Sequence, residues 1–163
     1  MSKALERPLP PAIAYDDDVV AWANAQAARL RAIADPLVDF EHIADELESM
    51  GRSDRNEIES RMTVLLTHLL KWEHQVERRS RSWRRTILEQ RDRLDWLVGE
   101  SPSLKSAVES ARVARFHTAR IYASDETGIA IGVFPRECAW TTAQILDLDF
   151  YPGPPAADDL PVE

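Results

Sequence analysis

The chain predicts an all-α fold, a single-domain helical bundle of about five main helices, and three observations point there. Residues 37–101 contain no proline. From Ile58 to Val76 the apolar residues recur at alternating spacings of four and three, the rhythm of a helix seam. Prolines and glycines, which disfavour helix interiors, fall almost only between periodic stretches. With 163 residues, 44% hydrophobic and 29% charged, the chain is long enough for one domain with its own core. That composition excludes collagen-like, low-complexity and wholly disordered classes.

The first helix is expected from Asp16 to Ala34, opened by Asp16, Asp17 and Asp18 at the positive end of its dipole and stopped before Pro36. A second, shorter helix is expected from Asp39 to Met50. Phe40, Ile43, Leu47 and Met50 form its inner face, Glu41, Asp45 and Glu48 point outward, and Gly51 ends it. The third starts at Ser53 and carries Ile58, Met62, Leu65, Leu69, Trp72 and Val76 as a heptad-like seam. Leu66 and Leu70 widen that stripe, so this helix is expected at the centre of the bundle.

A fourth helix opens at Ser82, with Trp83, Ile87, Leu94 and Leu97 inward, Gln90 partly buried in the remaining slot and Gly99 at its end. Ser101 and Pro102 begin a fifth, whose small stripe is Ala107, Ala111, Ala114, Thr118 and Ile121 and which ends near Gly128. An irregular segment follows over residues 129–141, and Thr141 with Gln144 resembles a capping box that opens one last helical turn or two. The expected domain plan is an N-terminal extension over 1–14, the bundle over 15–150 and a mobile, proline-rich tail over 151–163.

Composition also narrows function. No run of eighteen apolar residues is present and the N-terminus lacks the apolar core of a signal peptide, so a cytoplasmic protein with no membrane contact is expected. Cys138 is the sole cysteine, which excludes an intrachain disulfide and a multi-cysteine zinc site. The net charge of −8 conceals a dipolar chain: residues 35–60 carry nine acids against two bases, and residues 71–85 carry six bases against two acids. Such a pattern suits pairing within the molecule or with an oppositely charged partner.

Phosphate-loop, nucleophile-elbow and His-Glu-x-x-His motifs are absent. Three constellations remain. His42 and Glu46, four apart on one helix side, are candidate metal ligands; no cofactor is otherwise implied. Arg61 and His68, seven apart on the third helix with Gln90 nearby on the fourth, are candidate catalytic residues. The histidine would exchange a proton with a ribose 2′-hydroxyl while the arginine stabilised phosphorane charge. Their spacing resembles the Arg-x(4–6)-His motif of nucleases of the higher-eukaryote and prokaryote nucleotide-binding superfamily, although Arg112 and His117 repeat it. Arg78, Arg79, Arg81, Arg84 and Arg85 surround Trp83 and form a candidate binding segment for an acidic protein, an RNA or the chain's own acidic helix. Trp96, opposite the apolar face of its helix, is a candidate contact residue for a homodimer or another partner.

The stretch from Ser60 to Trp72, SRMTVLLTHLLKW, read together with Arg79 to Arg91, RSRSWRRTILEQR, resembles the bacterial domain-of-unknown-function family 29. Matching features include Tyr15-Asp16-Asp17-Asp18 with Trp22, the run from Asp45 to Gly51, Pro102-Ser103-Leu104, Glu126-Thr127-Gly128, Phe134-Pro135 and Asp149-Phe150, so residues 15–150 are covered. The resemblance implies a bacterial, all-helical protein and assigns no catalytic residue. The leading functional expectation is therefore a non-catalytic, self-associating interaction or regulatory module. A metal-independent RNase using Arg61 and His68 comes second and a metal-binding bundle third.

Overall fold

The computed structural model describes residues 12–33 and 35–155, and these contain five α-helices and no strand. They are α1 (Val19–Leu30), α2 (Phe40–His74), α3 (Arg81–Glu100), α4 (Lys105–Thr127) and α5 (Thr142–Leu146). Helix α2 is the axis of the molecule, with α1, α3 and α4 all packed on it. None of the described helices is long and apolar enough to cross a membrane.

Helix α1 begins later and ends earlier than its sequence pattern suggests, because Asp18 alone makes the cap. Its Oδ1 accepts from the Ala21 amide at 2.7 Å, while its Oδ2 accepts from the Ser103 amide at 2.6 Å. Ser101 Oγ in turn accepts from the Val20 amide at 3.2 Å. The start of α1 and the 3-10 turn leading into α4 (Pro102–Leu104) thus satisfy each other's free donors.

The expected second and third helices are one. Helix α2 runs unbroken for 35 residues through Gly51, roughly 50 Å at 1.5 Å per residue. Gly51 serves packing rather than termination: a Cβ there would lie 2.8 Å from Val20 Cγ1, so the missing side chain is what lets α1 approach. The face assignment of this half also reverses. Ala44 and Gly51 are buried, whereas Ile43 and Met50 are exposed. Arg31, at the end of α1, reaches Glu41, Asp45 and Glu48 at 2.9, 2.6 and 2.5 Å. One guanidinium answering three carboxylates holds the acidic side toward α1 and turns the apolar row outward.

Farther along, Ile58, Met62, Leu65, Leu66, Leu69 and Leu70 are fully buried against Ile87, Leu94 and Leu97 of α3 and Val108, Ala111, Ala119 and Ala123 of α4. The inward stripe of α4 is therefore displaced from the expected one. Ala111 is shared, but Ala114 and Ile121 face solvent while Phe116 and Arg120 turn in. Arg120 Nη2 donates to the carbonyls of Ile131 and Phe134 at 3.1 and 3.3 Å, and that polar duty draws the face round.

Gly128 closes α4 in the left-handed region at φ 73°, a conformation that favours glycine. The irregular stretch holds one 3-10 turn (Ile131–Val133) and buries Phe134 before Thr141 and Gln144 form a reciprocal capping box on α5. The proline-rich tail begins later than 151: Pro152 is buried and the Tyr151 ring lies 4.9 Å from that of Trp72. The rest of the expected tail, residues 156–163, and residues 1–11 of the N-terminal extension lie outside the described residues.

Candidate functional site

Helix α3 runs antiparallel to α2, and the candidate site lies where the two meet solvent. Glu57 of α2 is held from both sides. Arg93 Nε and Nη2 bond its two carboxylate oxygens at 2.8 and 3.2 Å, and Arg61 Nε bonds Oε1 at 2.8 Å. These donors, Arg93 first and Arg61 second, push the Glu57 carboxyl down to about 2. The second arm of Arg61 donates to Gln90 Oε1 at 3.1 Å. Arg93 also lies 4.0 Å from the centroid of the Trp96 ring.

Along this face of α2, Ile43, Leu47, Met50, Asp54, Glu57, Arg61, Val64 and His68 succeed one another at spacings of four and three. That repeat keeps them on one side of the helix. Ile43, Met50 and Val64 are 45%, 39% and 37% exposed and Trp96, against Arg93, is 49% exposed, so the row is open to solvent. Asp54 differs from its charged neighbours. Burial, and then the nearby Glu57, raise its pKa, and its carboxylate makes no hydrogen bond or ion pair with the described residues.

Arg61 and His68 share the row but stand about 10 Å apart along the axis, each with its own partners. The His68 Nδ1–H donates to the Val64 carbonyl at 2.9 Å, and burial lowers its pKa, disfavouring the charged ring. The geometry joins Arg61 to Gln90 rather than to His68.

The arginine segment is divided. Arg79 Nε donates to the Trp72 carbonyl at 2.8 Å, its Nη2 to that of Pro152 at 3.3 Å, and its guanidinium lies 5.0 Å from the Trp72 ring. Arg84 sits 5.6 Å from the Tyr151 ring and Arg85 pairs with Glu89 at 2.8 Å. Trp83 is half-buried under Lys71 Nζ at 4.5 Å, and Lys71 bonds Glu126. Arg78 and Arg81 remain exposed at the basic end of α2. Tyr151 and Pro152 of the C-terminal segment thus lie against Arg84 and Arg79.

His42 pairs with its own cap residue, Asp39, at 2.5 Å, which raises the imidazole pKa and lowers that of the carboxyl. Glu46 is exposed. Among the described residues no three His, Cys, Asp or Glu side chains converge as a metal site would require.

Sequence reasoning missed Arg91, which is 1% exposed. Its Nε and Nη2 donate to the carbonyls of Ile145 and Phe150 at 2.7 and 2.6 Å. The available signal was periodic: position 91 is four after Ile87 and three before Leu94, inside the apolar stripe. Glu57 and Arg93 were missed as well, since one acid among the eight of α2 and one base among the five of α3 carry no local pattern that pairs them.

With this geometry in view, comparisons with known proteins place the chain. The family described as domain of unknown function DUF29 matches residues 14–151. Among solved structures, the chain is similar to an alpha-helical protein of unknown function from Rhodospirillum rubrum, with 24% identity and a TM-score of 0.67. That likeness covers 86% of this chain and 93% of the other, and it shows a shared fold. No curated protein matches.

Proposed function

The chain belongs to the DUF29 family, and on that footing we propose that it is a non-catalytic protein-interaction module whose contact surface is the open α2–α3 face. One observation carries the reading: solvent-exposed Ile43, Met50 and Val64 stand seven and fourteen residues apart, at one heptad position of a helix–helix seam along α2, and exposed Trp96 lies against Arg93 of the same face. A monomer gains nothing by leaving a spaced apolar row in water, whereas a partner that covered it would bury apolar area. Glu57, Arg61 and Arg93 are already paired with one another. They therefore form a polar centre that desolvates at lower cost than isolated charges would.

A photo-crosslinking amino acid introduced at position 96 tests this, with the same group at the exposed Val113 of α4 as control. In cells expressing the full chain, the proposal expects a discrete protein–protein product from position 96 and none from position 113. Absence of any discrete product at 96 would overturn it.

A further inference from the structure

Building on the interaction-module reading, we infer that the partner on the α2–α3 face is a second copy of this chain, with the two α2 helices antiparallel about a two-fold axis near Glu57. The residues themselves set this orientation. In a parallel pair in register, Asp54 would face Asp54 and Arg61 would face Arg61. Like charges directly opposed disfavour such a pair. Reversing one helix about Glu57 sets Asp54 against Arg61 of the second copy, Met50 against its Val64 and Leu47 against its His68. The two Glu57 side chains then lie near the axis, each neutralised by its own Arg61 and Arg93.

Two further observations agree. Asp54 is partly buried, and although the chain's own Arg93 is near enough to act on it through space, no described residue hydrogen-bonds or ion-pairs with its carboxylate; the antiparallel pair brings Arg61 of the second copy to it. The chain's dipolar charge also fits, because the acidic stretch 35–60, with nine acids and two bases, lies toward one end of α2 and the basic stretch 71–85, with six bases and two acids, toward the other. Antiparallel pairing lays each acidic end beside the partner's basic end, where Arg78 and Arg81 are exposed. The two-fold arrangement is closed, so every surface used on one copy is used on the other. Polar side chains within a heptad seam fix orientation in this way.

Engineered thiols read the register directly. Met50→Cys and Val64→Cys are made separately in a full chain also carrying Cys138→Ser, and the two proteins are oxidised alone and mixed. Within one helix positions 50 and 64 stand about 21 Å apart, too far for a disulfide. The antiparallel pair predicts disulfide-linked dimers only in the mixture. Linked dimers from the Met50→Cys protein alone would mean parallel pairing and overturn the inference. No linked dimer in any sample would overturn it too. Should position 96 at the same time cross-link to a different protein, the interaction-module reading stands and only the self-pairing falls; should neither experiment give a product, both fall.

Discussion

Arg93 places its guanidinium 4.0 Å from the centroid of the Trp96 ring while holding Glu57 across the α2–α3 boundary at 2.8 and 3.2 Å. One guanidinium thus serves both the salt bridge and the aromatic contact, so removing the Glu57 carboxylate would loosen the arginine that the Trp96 ring packs on.

Glu57 gives the first prediction. Its carboxyl is pushed down to about 2 from a usual 4.5. A depressed folded-state pKa contributes stability that is complete above 4.5 and is lost as pH falls from 4.5 toward 2. Glu57→Gln should therefore lower stability at pH 7 and flatten its decline across that window. Urea unfolding at a series of pH values checks this, and identical slopes for variant and parent would contradict it.

Arg91→Met removes the donor to the carbonyls of Ile145 and Phe150 without opening a large cavity. Leaving the buried Ile145 acceptor unpaired costs about 1–3 kcal/mol. The variant should unfold at lower denaturant and lose protease resistance first around residues 145–152, while α1 and the first half of α2 stay protected. Proteolysis with mass mapping reads this, and a parent-like cleavage pattern would contradict it.

Gly51→Ala should destabilise despite alanine's better helix propensity. The added Cβ meets Val20 Cγ1 at 2.8 Å, and Val20 is a stiff, buried side chain. Overpacking of this kind costs about 1–3 kcal/mol, against roughly 1 kcal/mol gained from propensity. In a Val20→Ala background the clash disappears, and the same substitution should become neutral or stabilising. Thermal melts of the four proteins check the pair, and equal effects in both backgrounds would refute the contact.

The fold was largely legible because α2, α3 and α4 bury stripes that repeat at helical spacing. Two features were not, each for a physical reason. Gly51 looks like a stop because sequence shows its lack of a side chain but not the Val20 methyl that needs the space. Ile43 and Met50 look like core because they are apolar, and only the grip of Arg31 on Glu41, Asp45 and Glu48 reveals that they face out. The candidate site was half visible. Arg61, Gln90 and Trp96 stood out by type and position, but Glu57 and Arg93 become partners only once α3 folds back on α2. The contacts of Arg79 and Arg84 with Pro152 and Tyr151 were not legible, because those two residues sit in a proline-rich stretch that resembles a loose tail.

Sedimentation velocity on charge-reversed chains tests the central claim most directly. Asp54→Lys alone opposes lysine to Arg61 of the second copy at two symmetric sites, and Arg61→Asp alone opposes aspartate to Asp54. Each should weaken the dimer by on the order of 100-fold, as like charges in contact do. Mixed in equal amounts, the two proteins restore opposite charges at both sites, so a dimer holding one of each should reappear with near-parental affinity. A mixture that stays monomeric, while each protein keeps the parent's helical content and the parent chain dimerises, would contradict the account.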